Sequence, residues 1–178
     1  MVALAAGPFL VGCEQRVGPA APPASPHASS AGGAGRLVDG AVGFSIDIPE
    51  DFVAQSLSGV QSKVLSGPTL EGVTVNVNVI AERFSGSIDE YCSAAGEYAR
   101  RELPEAMITK PGPFAVDAGL PARRWTMIQT MNGTRLAQEQ FAVAASGKVF
   151  VITCTRAEAD RTDWKPVFER CARSFRPE

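Results

Sequence analysis

The dipeptide Asn132-Gly133 constrains the fold of this chain more than any other feature. It stands between two stretches of alternating side-chain character, Ala122–Met131 and Thr134–Ala144. Asparagine followed by glycine favours the two-residue turn whose central residues both take positive φ, and that turn matches the twist of paired strands. Ser146-Gly147 turns the chain again, into Val149–Thr155. Together the two turns predict a three-stranded antiparallel meander. Short turns also set register, so each residue can be assigned to a face. One face collects Ile128, Ala137, Phe141, Val143, Phe150, Ile152 and Cys154 and reads as core. The other holds Met127, Leu136, Ala142, Val149 and Val151, together with Trp125, Gln129, Gln138 and Gln140. It is apolar at one end and amide-rich at the other. Such a sheet needs cover over one whole face and part of the second.

Two amphipathic helices supply that cover. Ser87-Ile88-Asp89-Glu90 fits a capping box, a serine cap with glutamate three residues on. The helix it starts carries Ile88, Tyr91, Cys92, Ala95 and Ala99 on one face, pairs Glu97 with Arg101 on the exposed side, and ends at Pro104. In the second helix Trp164, Val167, Phe168, Cys171, Ala172 and Phe175 recur at helical spacing. Asp163 is its expected cap, with Pro166 in the first turn, where a missing N–H does no harm. Upstream, Gly43–Ile48 alternates like a half-buried strand and stops at Pro49, and Val60–Leu65 is a short strand candidate. Val73, Val75, Val77 and Val79 share one strand face, opposite Asn76 and Asn78. An antiparallel sheet with two such helices is an α+β fold, the sheet sandwiched by helices.

The N-terminal region reads differently. Leu10-Val11-Gly12-Cys13 follows a short apolar leader and resembles a bacterial lipobox, in which the leader is removed and the cysteine receives lipid. On that reading residues 1–12 are a lipoprotein signal peptide, 13–36 a tether and 37–178 the folded domain. The leader lacks Lys and Arg and is interrupted by Gly7-Pro8. The alternative is a disordered N-terminus with a chance cysteine. The tether is rich in Pro, Ala, Ser and Gly, too poor in large apolar side chains to offset its ordering entropy. As a flexible coil it spans roughly 25–30 Å. The expected location is therefore the cell envelope, with the membrane itself as a partner through the lipid on Cys13. Glu14, where an aspartate is absent, favours the outer membrane, facing the periplasm, in a double-membrane cell. No apolar run reaches the length of a transmembrane helix.

The order of motifs within the domain resembles the PsbP/DcrB/LpqN-type superfamily. The residues concerned are Gly43-Phe44-Ser45-Ile46-Asp47-Ile48-Pro49, the valine strand, the first helix and Gly119-Leu120-Pro121-Ala122-Arg123. The strand from Gly147 to Thr153 and a helix ending Ser174-Phe175 complete the order. The resemblance spans roughly Gly43–Phe175. It implies an antiparallel sheet sandwiched by helices and a role as an accessory subunit, envelope protein or effector chaperone. It brings no shared catalytic residues.

The residues of the domain limit its chemistry. Net charge is −2, so there is no basic footprint for nucleic acid. The one histidine, His27, lies in the tether, which leaves no Ser–His or Cys–His nucleophile pair and no histidine-based zinc site in the domain. Neither a C-x-x-C pair nor a glycine-rich phosphate loop is present. Asp89-Glu90 sits at a helix start, where the helix dipole explains it. Arg123-Arg124 could attract an anion, but neighbours on a strand point to opposite faces, and a solvated edge accounts for them. No cofactor, metal or enzymatic activity is expected. The expected function is a tethered binding or accessory module with a protein partner; the alternative is a structural envelope protein attached to the wall or to another lipoprotein. The expected binding face is Trp125, Gln129, Gln138 and Gln140, since amides beside a tryptophan combine hydrogen bonds with a flat apolar surface. If these glutamines are solvent-facing, their removal should leave stability unchanged; the alternatives are an ordinary solvated face or one closed by the Ser56–Gly72 loop. In an oxidising envelope a disulfide, if one forms, should include Cys171: with Cys154 it closes a loop of about 18 residues and is worth roughly 3 kcal/mol, and Cys92 on the other helix is the second candidate partner. Buried free thiols, with Cys92 as a third, are the alternative.

Overall fold

A computed structural model describes residues 35–57, 60 and 62–178. The leader, Cys13 and the tether as far as residue 34 lie outside the described residues. The described chain runs β1 (Arg36–Asp39), β2 (Phe44–Asp47), β3 (Val53–Gln55), β4 (Val64–Leu70), β5 (Val73–Arg83) and α1 (Ile88–Glu102). It continues through β6 (Met107–Ile108), β7 (Gly112–Ala115), β8 (Pro121–Met131), β9 (Thr134–Ala145), β10 (Lys148–Ala157), α2 (Lys165–Arg173) and β11 (Arg176–Pro177). Eight strands form an antiparallel sheet in the order β3-β4-β5-β10-β9-β8, with β6 and β7 both paired to β8. A second sheet, β1-β2-β11, is small.

The turns dictate this register. Asn132 and Gly133 take φ of 49° and 78°, and Ser146 and Gly147 take 50° and 70°. Met131 therefore pairs with Thr134, and Ala145 with Lys148. Glu71-Gly72 makes a third such turn between β4 and β5, with φ of 52° and 75°. Across β8, β9 and β10 the pairs Ile128–Ala137, Phe141–Ile152 and Val143–Phe150 put the expected core residues on one face. Val75, Val77 and Val79 of β5 join it. Against that face pack α2, through Phe168, Cys171 and Ala172, and the small sheet, through Leu37, Phe44 and Ile46. Phe175, fully buried, packs tilted on Phe150 at 5.0 Å and stacks on Phe44 at 6.1 Å. Each such burial contributes about 1.5–3 kcal/mol relative to exposure.

The opposite face is covered at its apolar end by α1. Ile88, Tyr91 and Cys92 pack on Ala142, Val149 and Val151. The capping box is present: Glu90 N–H donates to Ser87 Oγ, and Ser87 N–H donates to Glu90 Oε2.

Several expectations need correction. Arg36 belongs to β1, not to the tether: its guanidinium donates to Asp47 Oδ1 and to the Ser174 carbonyl, which pins the strand to the domain. The strand expected at Gly43–Ile48 is β2; β1 and β11, which pair with it on either side, have only four and two residues and show no period in the sequence. The strand expected at Val60–Leu65 runs instead over Val64–Leu70 and is bulged between Ser66 and Thr69, where Gly67 leaves room for the Phe52 ring. Trp164, not Asp163, is the cap residue of α2; Asp163 accepts only a 3.3 Å bond from Lys165 N–H. Arg101 pairs with its neighbour Glu102 rather than with Glu97.

Candidate functional site

The register brings all the expected binding residues onto one face, and adds more. Trp125 stands opposite Gln140, Met127 opposite Gln138 and Gln129 opposite Leu136. Gln140 in turn faces Thr153, which faces Asn78; Gln138 faces Thr155, which faces Asn76. The two asparagines of β5 therefore extend the same polar row across four strands.

The glutamines are not solvent-facing. Gln129, Gln138 and Gln140 are 6%, 5% and 2% exposed. Gln138 is their hub. Its Oε1 accepts from Gln129 Nε2 at 3.3 Å and from Gln140 Nε2 at 3.4 Å, and its Nε2 donates to Thr155 Oγ1 at 3.2 Å. Burial explains the arrangement, since amides withdrawn from water must bond to one another. The expectation of a freely exposed amide surface is thus corrected to an internal network. Of the four residues, Trp125 and Gln140 border open space.

That space is a cleft of about 520 Å3 between α1 and the β6–β8–β9 edge of the sheet. Trp125, Met127 and Gln140 form its floor, and Ile108 and Pro111 its outer wall. The α1 side presents the small residues Cys92, Ala95, Gly96 and Ala99 together with Tyr98 and Arg100. Gln140 uses one amide N–H on Gln138, and its Oε1 has no hydrogen-bond partner among the described residues. Arg100 and Lys110 line the cleft and form no ion pair with any described residue.

The Arg123-Arg124 pair is used structurally. The two side chains do point to opposite faces, but each reaches a helix. Arg123 makes a bidentate pair with Asp89 of α1, at 2.7 and 2.9 Å, and Arg124 pairs with Glu169 of α2. The two layers are tied to adjacent positions of one strand, and neither guanidinium is left for an anion.

Two acids depart from ordinary behaviour. Burial raises the Glu82 carboxyl above its usual value, opposed by a hydrogen bond donated by Tyr91. Burial likewise raises Glu139, with Arg124 acting the other way. Among the described residues no group of three or more His, Cys, Asp and Glu could hold a metal ion.

The three cysteines of the domain are free and buried in the structure. Cys154 and Cys171 lie close enough to influence each other electrostatically across the sheet–α2 layer. Cys171 Sγ donates to the Asp47 carbonyl at 3.3 Å. Desolvation pushes Cys92 up to about 11, Cys171 to about 12 and Cys154 well above its usual value, so all three stay protonated at neutral pH.

No protein-family model and no curated protein matches the sequence. Solved structures do. Cyanobacterial PsbP from Synechocystis sp. PCC 6803 matches 86% of this chain and 98% of its own, with a TM-score of 0.59 and 14% identity. A protein of unknown function from Pseudomonas aeruginosa matches 71% of this chain and 97% of its own, with a TM-score of 0.56 and 15% identity. LpqN of Mycobacterium tuberculosis, described as involved in cell envelope biogenesis, matches 82% of this chain and 83% of its own, at 0.46 and 15%. The domain is an α+β protein of PsbP-like fold. Among the described residues no helix is long and apolar enough to cross a membrane.

Proposed function

We propose that this chain is a non-enzymatic binding module of the cell envelope, held at the membrane by lipid on Cys13. Its working surface is the cleft between α1 and the meander. The observation that carries this reading is the meeting of Trp125 and Gln140 at the floor of that cleft. A large amphipathic ring and an amide with unused hydrogen-bonding capacity converge on space that the helix leaves open, the usual composition of a binding pocket. The anchor reading rests on Leu10-Val11-Gly12-Cys13 and the Pro/Ala/Ser/Gly tether behind it.

Two substitutions test the two halves separately. Cys13→Ser is expected to abolish palmitate labelling and release the protein from the membrane fraction; labelling of that variant would contradict the anchor. Trp125→Ala is expected to stay in the membrane fraction and lose its bound partner. Retention of the full complement of co-purifying molecules would contradict the cleft.

A further inference from the structure

Strand β4 leaves its neighbour early. It pairs with β5 from Val73 only as far as Val77, opposite Leu65, although β5 runs on to Arg83. In continued register Lys63 would face Val79. Its N–H donates instead to the Asp39 carboxylate at 2.9 Å, and the chain turns away. The rest of β5, Asn78–Arg83, has no strand on that side among the described residues.

The backbone groups of that stretch point into the gap by parity. Phe84 N–H donates to the Gly147 carbonyl at 3.1 Å, so Asn78, Ile80 and Glu82 also turn their N–H and C=O groups toward β10. Val79, Ala81 and Arg83 turn theirs away from it, and these have no hydrogen-bond partner among the described residues. Val79 is only 2% exposed, whereas Ala81 is half-buried and Arg83 exposed, so the gap opens toward Arg83. Other edges of the sheet are guarded. Pro68 sits in the β4 bulge, and Pro111 and Pro113 stand along the β6–β7 edge, where they offer no N–H to an incoming strand. No proline interrupts Asn78–Arg83.

Charge marks the open end. Arg83 stands directly opposite Lys148. Ala145 and Lys148 close a two-residue turn, so Lys148 spends its backbone bonds on β9. Arg83 and Lys148 are therefore a pair without bonds between them, the closer of the two antiparallel spacings, about 4.5 Å between Cα atoms. Like charges so placed oppose folding. Neither forms an ion pair among the described residues, and the Lys148 ammonium rests over the Phe150 ring at 5.9 Å. Both border a surface hollow with Phe84, Ser146 and Gly147. Glu90, the acid in that hollow, is committed to the N–H and hydroxyl of Ser87.

We propose that the Ala81–Arg83 edge receives an extended acidic peptide segment, which continues the sheet beyond β4 and sets a carboxylate against Arg83 and Lys148. The edge presents donors and acceptors at strand spacing, the pattern that another extended backbone matches. The paired cations select the acid. This surface is separate from the cleft and does not depend on it.

Amide hydrogen exchange of the full chain, read by NMR, tests the edge first. The amides of Ala81 and Arg83 should exchange at least about tenfold faster than those of Ile80 and Glu82. Equal protection would mean that the edge is already covered, and would overturn the proposal. Two eight-residue peptides of alternating valine and threonine then serve as probes, one with two central glutamates, the other with lysines there. The glutamate peptide should bind saturably and slow exchange at Ala81 and Arg83, with the lysine peptide roughly tenfold weaker. Arg83→Glu with Lys148→Glu should reverse that preference. Ala81→Pro removes one outward N–H, which an edge tolerates, and should weaken binding roughly tenfold while the urea midpoint reports an intact fold. If Ala81→Pro unfolds the domain, the charge-reversed variant decides. Failure of the folded protein to bind the glutamate peptide, equal binding of both peptides, or binding that leaves Ala81 and Arg83 exchange unchanged overturns the proposal. Protection of those two amides that grows with protein concentration alone would assign the edge to a second copy instead.

Discussion

Replacing Gln138 with leucine should destabilise the domain well beyond what a surface position allows. The substitution keeps the volume but removes the acceptor shared by Gln129 Nε2 and Gln140 Nε2. Both donors belong to residues no more than 6% exposed, so both become buried and unsatisfied. Each such group costs about 1–3 kcal/mol. The bonds are long, 3.3 and 3.4 Å, which places the sum in the lower part of the range, about 2–4 kcal/mol. For a domain of this size that is a fall in Tm of roughly 6–16 °C. Urea unfolding followed by far-ultraviolet circular dichroism measures it. A companion variant separates a lost network from general disruption. Replacing Gln129 and Gln140 with methionine in the Gln138→Leu background removes the orphaned donors, and most of the stability should return. A change under about 0.5 kcal/mol for Gln138→Leu would mean these amides bond to water, which would refute the internal network.

Other consequences are simpler to test. Ser87→Ala removes the α1 cap and should cost about 1 kcal/mol in urea unfolding. Burial raises the folded-state Glu139 carboxyl above its unfolded value, so its contribution is fully present below the unfolded pKa and lost as pH rises through the folded one. Glu139→Gln should therefore gain stability relative to wild type as pH rises from about 4 to about 7, in calorimetric scans at each pH. A thiol reagent at neutral pH should find the domain's three cysteines unreactive in the native protein and all three titratable after unfolding without reductant. Recovery of one instead would restore a disulfide.

Where two-residue turns punctuate alternating strands, sequence alone was enough: the register set by Asn132-Gly133 and Ser146-Gly147 put the core residues Ile128, Phe141, Phe150 and Ile152 on one face and Trp125, Gln129, Gln138 and Gln140 on the other, as observed. The capping box at Ser87 was equally local, hence equally legible. The small sheet was legible only in β2, since β1 is too short to show a period and β11 joins β2 from the opposite end of the domain. The fate of the glutamines escaped for a related reason. Face follows from register, but burial follows from what packs above. Only the three-dimensional arrangement shows that Gln138 bonds Gln129 and Gln140, and that the small residues of α1 leave a cleft beside Trp125. Arg123-Arg124 illustrates both sides: opposite directions follow from strand geometry, whereas Asp89 and Glu169 as their partners do not.

Site-specific photo-crosslinking in intact cells tests the central claim most directly. A benzophenone side chain at Ser93, exposed on the cleft wall of α1, reports on the cleft, and the same group at Val53, 62% exposed on the β3 edge, is the control. The account predicts a discrete adduct from position 93, lost on Trp125→Ala, and none from position 53. Adducts from position 53 alone, or from 93 irrespective of Trp125, would contradict it.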